Sequence, residues 1–181
     1  APLMRDTADG FAEIKALAKK LGAGLQMSVT IAARNDGSKD THALWPQEDH
    51  IRNVLMDPDI QVGFHEPLDL AKLINLKAPL CGGGNALIHI TPYGDVLPCV
   101  ALQVPGGNVR DTPIRHIWQN AEIFKVMRTT TIEDLAECRV CPHLSFCTRC
   151  PGLALLEDGD LFGRSSNDCR LARIMRDVHE H

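Results

Sequence analysis

Four cysteines crowd into one short stretch, at Cys138, Cys141, Cys147 and Cys150, and three more stand apart at Cys81, Cys99 and Cys169. The full pattern is C-x12-G-x4-C-x38-C-x2-C-x5-C-x2-C-x18-C. A Cys-x2-Cys turn points two thiolates at one soft ion or cluster, so this spacing constrains the second half of the chain more than any hydrophobic pattern does. Seven is odd, and full disulfide pairing would strand one thiol. The first residues, APLMRDTADG, carry no export-signal pattern, so a reducing cytoplasmic setting is expected. There, clustered cysteines read as metal-binding or redox-active.

Two metal chemistries compete for these ligands. Zinc-ribbon pairs usually lie about 15–20 residues apart, whereas five residues separate the pairs here. That spacing would crowd four ligands onto one ion, and seven thiols overshoot a single tetrahedral site. Iron–sulfur clusters are the preferred reading, with zinc as the alternative, above all for protein made in air.

The cysteines and the stretches HITPYGDVLPC, GNVRDTPIRHIW and CTRCPGLALLEDGD together resemble the SPASM domain. That domain is the C-terminal extension of radical S-adenosylmethionine enzymes that modify ribosomally made peptides and proteins. The resemblance is close over residues 81–169. It implies two auxiliary [4Fe–4S] clusters with interleaved ligands: Cys81, Cys99 and Cys150 on the first, and Cys138, Cys141, Cys147 and Cys169 on the second. The first would keep an open iron or take a ligand other than cysteine. The family commonly has three residues between the last two clustered cysteines; here there are two, Thr148 and Arg149. Some relatives have a further cysteine soon after the one matching Cys81, and none occurs between Cys81 and Cys99.

A radical S-adenosylmethionine enzyme also needs a C-x3-C-x2-C loop, and this chain has none. It is therefore not expected to be an active enzyme alone. The expected role is electron transfer or substrate anchoring inside a larger maturase. Its partners would be the barrel of the same parent chain (which would hold S-adenosylmethionine), a peptide or protein substrate and a reductant protein. The alternatives are an independent ferredoxin-like electron carrier and a zinc-bound docking module.

The fold expected is α+β: a small cluster lobe with a β-hairpin and flanking helices, preceded by the end of a partial (β/α)6 barrel. Residues 1–40 are read as the barrel end, 41–80 as linker helices and 81–181 as the cluster domain. Residues 11–21 place Phe11, Ile14, Leu17 and Leu21 on one helical face, with Gly22 as the stop. Leu25, Met27, Val29 and Ile31 alternate as in a strand, and Asn35 to Ser38 turns. Helices are expected from Pro46 to Leu55 and over 67–76. Residues 86–91 and 96–102 form the hairpin, with Cys99 on its second strand. Residues 113–128 space Ile117, Ile123, Phe124 and Met127 as in a helix, and Trp118 is expected in the core. Thr130 and Glu133 suggest a capping box before Cys138. The tail is helical, with Leu171, Ile174 and Val178 on one face.

Composition sets the exclusions. Net charge is −4 with interspersed signs, and aromatics are 4%, which argues against a nucleic-acid surface. No apolar run approaches the ~18 residues of a membrane span. His89 is a candidate fourth ligand, though a packed strand histidine is the simpler reading. His143 is expected to face solvent, and His179 and His181 to lie at a frayed end. Asp95 suits the turn after Gly94. Glu157, Asp158 and Asp160 are expected in a solvated turn around Gly159. Gly82 to Gly84 lacks the Lys-Ser/Thr of a phosphate loop; these glycines instead let backbone N–H groups approach sulfur.

Overall fold

In the computed structural model, which describes residues 1–60 and 75–180, the chain opens with an extended segment beside residues 26–28. The Leu3 N–H donates to the Ser28 carbonyl (2.8 Å), and the Ser28 N–H donates to the Ala1 carbonyl (2.9 Å). Pro2 and Ser28 form a parallel bridge. Parallel neighbours need a crossover, and helix α1 (Phe11–Lys20) supplies it. The helix ends as expected. Gly22 takes φ 62°, and the Ala23 N–H reaches back to the Ala18 carbonyl at 3.0 Å, closing a Schellman turn.

Two expectations for this region need correction. Residues 25–33 alternate in burial, with Met27 and Val29 inside and Gln26, Ser28 and Thr30 outside. Yet the described pairing is a single bridge from Ser28 to Pro2, and the stretch itself takes no regular strand. Along α1, Phe11 packs partly buried against the first core, but Ile14, Leu17 and Leu21 on the same face are 37%, 52% and 69% exposed, so the described residues leave most of that face uncovered.

The first core is built from distant segments. Leu3, Ala8, Met27, Val29, Ile51, Val54 and Ile60 pack with Leu171 and Ile174 from the tail. Helix α2 (Glu48–Leu55) turns Ile51 and Val54 inward, as its spacing predicts. The expected helix over 67–76 lies largely outside the described residues.

The second half is assembled from short pieces. Strands β1 (His89–Ile90), β2 (Asp95–Leu97) and β3 (Gly107–Asn108) form an antiparallel sheet in that order. His89 pairs with Leu97 and Ile90 with Val96, while Asp95 and Val96 pair with Asn108 and Gly107. The third strand goes beyond the expected hairpin. Cys99 lies past the end of β2, in a bridge with Leu102, and not on the strand itself. Gly94 takes φ 93°, and a Cβ there would meet Asn108 Oδ1 at 2.6 Å.

Residues 113–128 form two helices, α3 (Ile114–Asn120) and α4 (Glu122–Thr129), broken where Ala121 is extended. The break seats Ala121 and Phe124 against Gly106, where any Cβ would lie 2.6 Å from the Phe124 ring. Val96, Ile117 and Phe124 form a second small core, with the half-buried Trp118 against it. The capping box is Thr131 with Asp134, one residue later than expected, and it caps a 3-10 turn (Ile132–Asp134). Helix α5 (Pro151–Asp158) is an addition to the expected elements; Gly159, at φ 75°, ends it. Helix α6 (Ser166–His179) starts at Ser165, whose hydroxyl oxygen accepts the Asp168 N–H. Glu157 departs from expectation: it is 4% exposed, and its Oε2 accepts the Ser165 hydroxyl and the Asn167 N–H. No helix among the described residues is long and apolar enough to cross a membrane.

Candidate metal centre

A run of tight turns places the clustered cysteines. The N–H of Cys141 donates to the Cys138 carbonyl, that of Leu144 to Cys141, and that of Cys147 to Leu144, all at 3.0–3.1 Å. Residues three apart eclipse in a 3-10 turn. The turns are separate, with Cys141 and Cys147 extended at their ends, and together they bring Cys138, Cys141 and Cys147 to one cavity without a regular helix. Cys150 is three residues beyond Cys147 but leaves the run, because its extended backbone begins α5, with Pro151 at the first helical position. Cys169 joins from the first turn of α6.

Cys138, Cys141, Cys147 and Cys169 line one cavity of about 420 Å³, together with His143, Arg149 and Arg164. Burial pushes the Cys147 thiol up to about 12, with the charge of Asp168 and the neighbouring Cys169 and Cys138 adding to the shift. Cys169 is also raised, first by burial and then by Cys138 and Cys141.

Cys81, Cys99 and Cys150 form a separate neighbourhood. Burial raises Cys81, and Cys99 adds to it. Burial likewise raises Cys150, with Cys99 and Asp168 contributing, while the first-turn N–H groups of Leu153 and Gly152 pull it back down. The Gly83 N–H donates to Cys81 Sγ at 3.3 Å, as the glycine run suggests. A Cβ on Gly83 would stand 3.4 Å from that sulfur and 3.5 Å from Cys99 Cβ. The loop is tied down by Asn85, which donates to the carbonyls of Cys81 and Met127, and by Arg128, which donates to the Gly84 carbonyl.

Gly152 holds the two parts of this set together. A Cβ there would lie 2.5 Å from the Ala101 carbonyl oxygen, so only glycine lets α5 approach the turn after Cys99 so closely. Asp168 stands between the two sets. Its Oδ2 accepts the Cys150 N–H at 2.7 Å, and its charge bears on Cys147, Cys150 and Cys169. Its own carboxyl is raised, chiefly by burial.

Sequence reasoning missed Arg149 and Asp168. Each directly precedes a candidate ligand, and that adjacency was the available signal. His143 does not simply face solvent: it is half-buried on the cavity wall, and its Nδ1 is shielded with no hydrogen-bond partner among the described residues. His89 is half-buried in β1. His179 stacks on Phe146 with ring centres 5.5 Å apart. Among the described residues, no three His, Cys, Asp or Glu side chains stand as a ready single-ion site.

The donor set fits an iron–sulfur group. It offers soft sulfur ligands, backbone N–H groups directed at them, and a buried cation on the cavity wall. Residues 81–142 match the family profile of SPASM, an iron–sulfur cluster-binding domain. The resemblance read from the sequence is shown over that stretch, which ends before Cys147, Cys150 and Cys169. The chain is 37% identical over 81 residues to the AdoMet-dependent heme synthase of Methanosarcina barkeri, covering 44% of this chain and 23% of that protein. It is 36% identical over 80 residues to the heme synthase of Nitratidesulfovibrio vulgaris, covering 44% and 22%. It is 37% identical over 93 residues to the PqqA peptide cyclase of Methylocella silvestris, covering 46% and 24%. The chain thus spans about a quarter of the length of these relatives.

Proposed function

We propose that the seven thiolates hold two [4Fe–4S] clusters, Cys81, Cys99 and Cys150 on one and Cys138, Cys141, Cys147 and Cys169 on the other. One observation carries this reading: Cys138, Cys141, Cys147 and Cys169 line one cavity, while Cys81 and Cys99 meet around Gly83 outside it, a division that matches the sets the family resemblance implies. When bound, such clusters supply one-electron transfer and, at an iron without a thiolate, a site for a substrate donor atom. This chain's residues do the holding and tuning. The turns from Cys138 to Cys147 present thiolates from one side. Gly83 and the α5 N-terminus direct N–H groups at sulfur. Asp168 fixes the Cys150 backbone.

In this reading residues 1–40 end a partial barrel, 41–80 link, and 81–181 form the cluster domain of a cytoplasmic radical S-adenosylmethionine enzyme. The parallel pairing across α1 supports the barrel end. The parent acts on a peptide or protein, as the name of the PqqA peptide cyclases says of those relatives. A second reading, in heme synthesis, has its own support, since the heme synthases match a similar share of this chain.

Iron, zinc and acid-labile sulfide per chain, on protein made and kept without oxygen, test the core of the proposal. About eight irons and eight sulfides are expected. Zinc without sulfide would leave a docking module instead.

A further inference from the structure

Arg149 sits in the two-residue spacer between Cys147 and Cys150, the points where the two thiol sets meet. It is only 6% exposed. Its Nη2 donates to the carbonyls of Leu161 (2.6 Å) and Gly163 (2.8 Å), which fixes the guanidinium plane. Its Nε and Nη1 are also shielded from water, yet have no hydrogen-bond partner among the described residues. The side chain lines the cavity of Cys138, Cys141, Cys147 and Cys169. Its charge also reaches the other set, where it acts on Cys81, and it acts on Asp168 between them.

A buried guanidinium with two idle N–H groups is costly unless an anion meets it. Neither buried carboxylate, Asp168 or Glu157, accepts a hydrogen bond from Arg149 among the described residues, and Asp168 Oδ2 already accepts the Cys150 N–H. Four thiolates around a doubly positive iron–sulfur core leave a net negative group, and its sulfurs accept hydrogen bonds. Arginine's rigid fork suits such a partner better than a single ammonium does.

We infer that Arg149 donates its Nε and Nη1 hydrogens to the sulfurs of the cluster held by Cys138, Cys141, Cys147 and Cys169, and that its charge makes this cluster easier to reduce. The inference rests on the two-cluster reading above. One-electron reduction adds a negative charge to the cluster, and a fixed cation with N–H donors at the sulfurs favours that form. Arg149 thus works as a positioning and tuning residue, set apart from the ligands themselves.

The test is an anaerobic redox titration of the iron-loaded chain and its Arg149→Met variant, followed by EPR, with iron and sulfide measured on the same samples. At a poise near the midpoint of the unsubstituted chain, the ratio of reduced to oxidised cluster should fall at least tenfold in the variant. A tenfold change is about 59 mV for a one-electron couple. Arg149→Lys, which keeps the charge and loses the fork, should fall between the two. A ratio within twofold of the unsubstituted chain at full iron content overturns the inference and leaves Arg149 a clamp on residues 161–163. If Arg149→Met does not load, the unsubstituted chain with 15N-labelled arginine decides. Pulsed EPR of its reduced cluster should show a coupled guanidinium nitrogen, and none would overturn the inference. An unsubstituted chain that binds zinc without sulfide overturns the cluster reading and this inference together. A loaded chain with an unmoved potential removes only the role of Arg149.

Discussion

The two halves of the molecule are held together in different ways. The first builds a core from whole apolar side chains: Leu3, Ile51, Val54, Ile60 and Ile174 are each at most 1% exposed. Each such side chain contributes roughly 1.5–3 kcal/mol by leaving water. Between Thr131 and Cys150 there is almost none of this. The segment is a string of 3-10 turns in which Leu135 is the one buried aliphatic, while the apolar Val140 is 75% exposed. Short turns make few contacts, and the half-buried cysteines take the places a core would fill. Where apolar area is scarce, ligands must supply the folding energy. The first core is thus built by its own side chains, whereas the segment 131–150 is a frame that must lean on what it binds.

Substitutions can break that contrast in graded steps. The largest effect is expected from replacing Cys138 and Cys141 together by alanine. Iron and sulfide should fall to about half those of the unsubstituted chain, since the second set loses two of its ligands. Hydrogen exchange should rise over 131–150, while amides in α2 stay protected. Loss of protection across both halves would show that they do not fold separately. Next comes Ile174→Ala, which empties a fully buried site of the first core and should cost about 2–5 kcal/mol in chemical unfolding. It should do so in loaded and metal-free chain alike. Gly152→Ala is smaller in energy, about 1–3 kcal/mol for a forced overlap, but selective. It pushes α5 off the turn after Cys99 and should lower occupancy of the Cys81, Cys99 and Cys150 set before that of the other, as the iron count and EPR would show. Least is expected from Ser165→Ala, which removes the N-cap of α6 at about 1 kcal/mol. Because that helix serves both halves, a thermal melt should show the unfolding of each half shifted down by a similar small amount.

The contrast also explains what could be read from the chain in advance. Periodicity located α1, α2 and α6, because each is long enough for several turns to share a face. The clustered cysteines stood out as candidate ligands by their spacing, since soft-metal chemistry restricts residue type sharply, and the division of all seven into two sets came from the family resemblance. The misses lie where local signals are weak. The break at Ala121 follows from the fit of Phe124 against Gly106, a contact between segments well separated in the sequence. The burial of Glu157 depends on Ser165 and Asn167, which belong to the next helix. Arg149 and Asp168 looked like ordinary charged residues, because nothing in a one-dimensional pattern tells a surface charge from one enclosed by folding. The uncovered face of α1 shows the same limit from the other side: the amphipathic spacing was real, but its partner is not among the described residues.

Helix α6 carries a mechanical consequence. Its first turn holds Asp168 and Cys169, and further along Ile174 is locked into the first core. At about 1.5 Å per residue its 14 residues make a strut about 21 Å long. A strut of that kind does not bend easily, so a displacement at one end arrives at the other. Anything that rocks the first half would carry the Cys169 sulfur with it. In the two-cluster reading proposed above, the separation of the two sulfur sets is thereby tied to the packing of the first core through the five residues from Cys169 to Ile174.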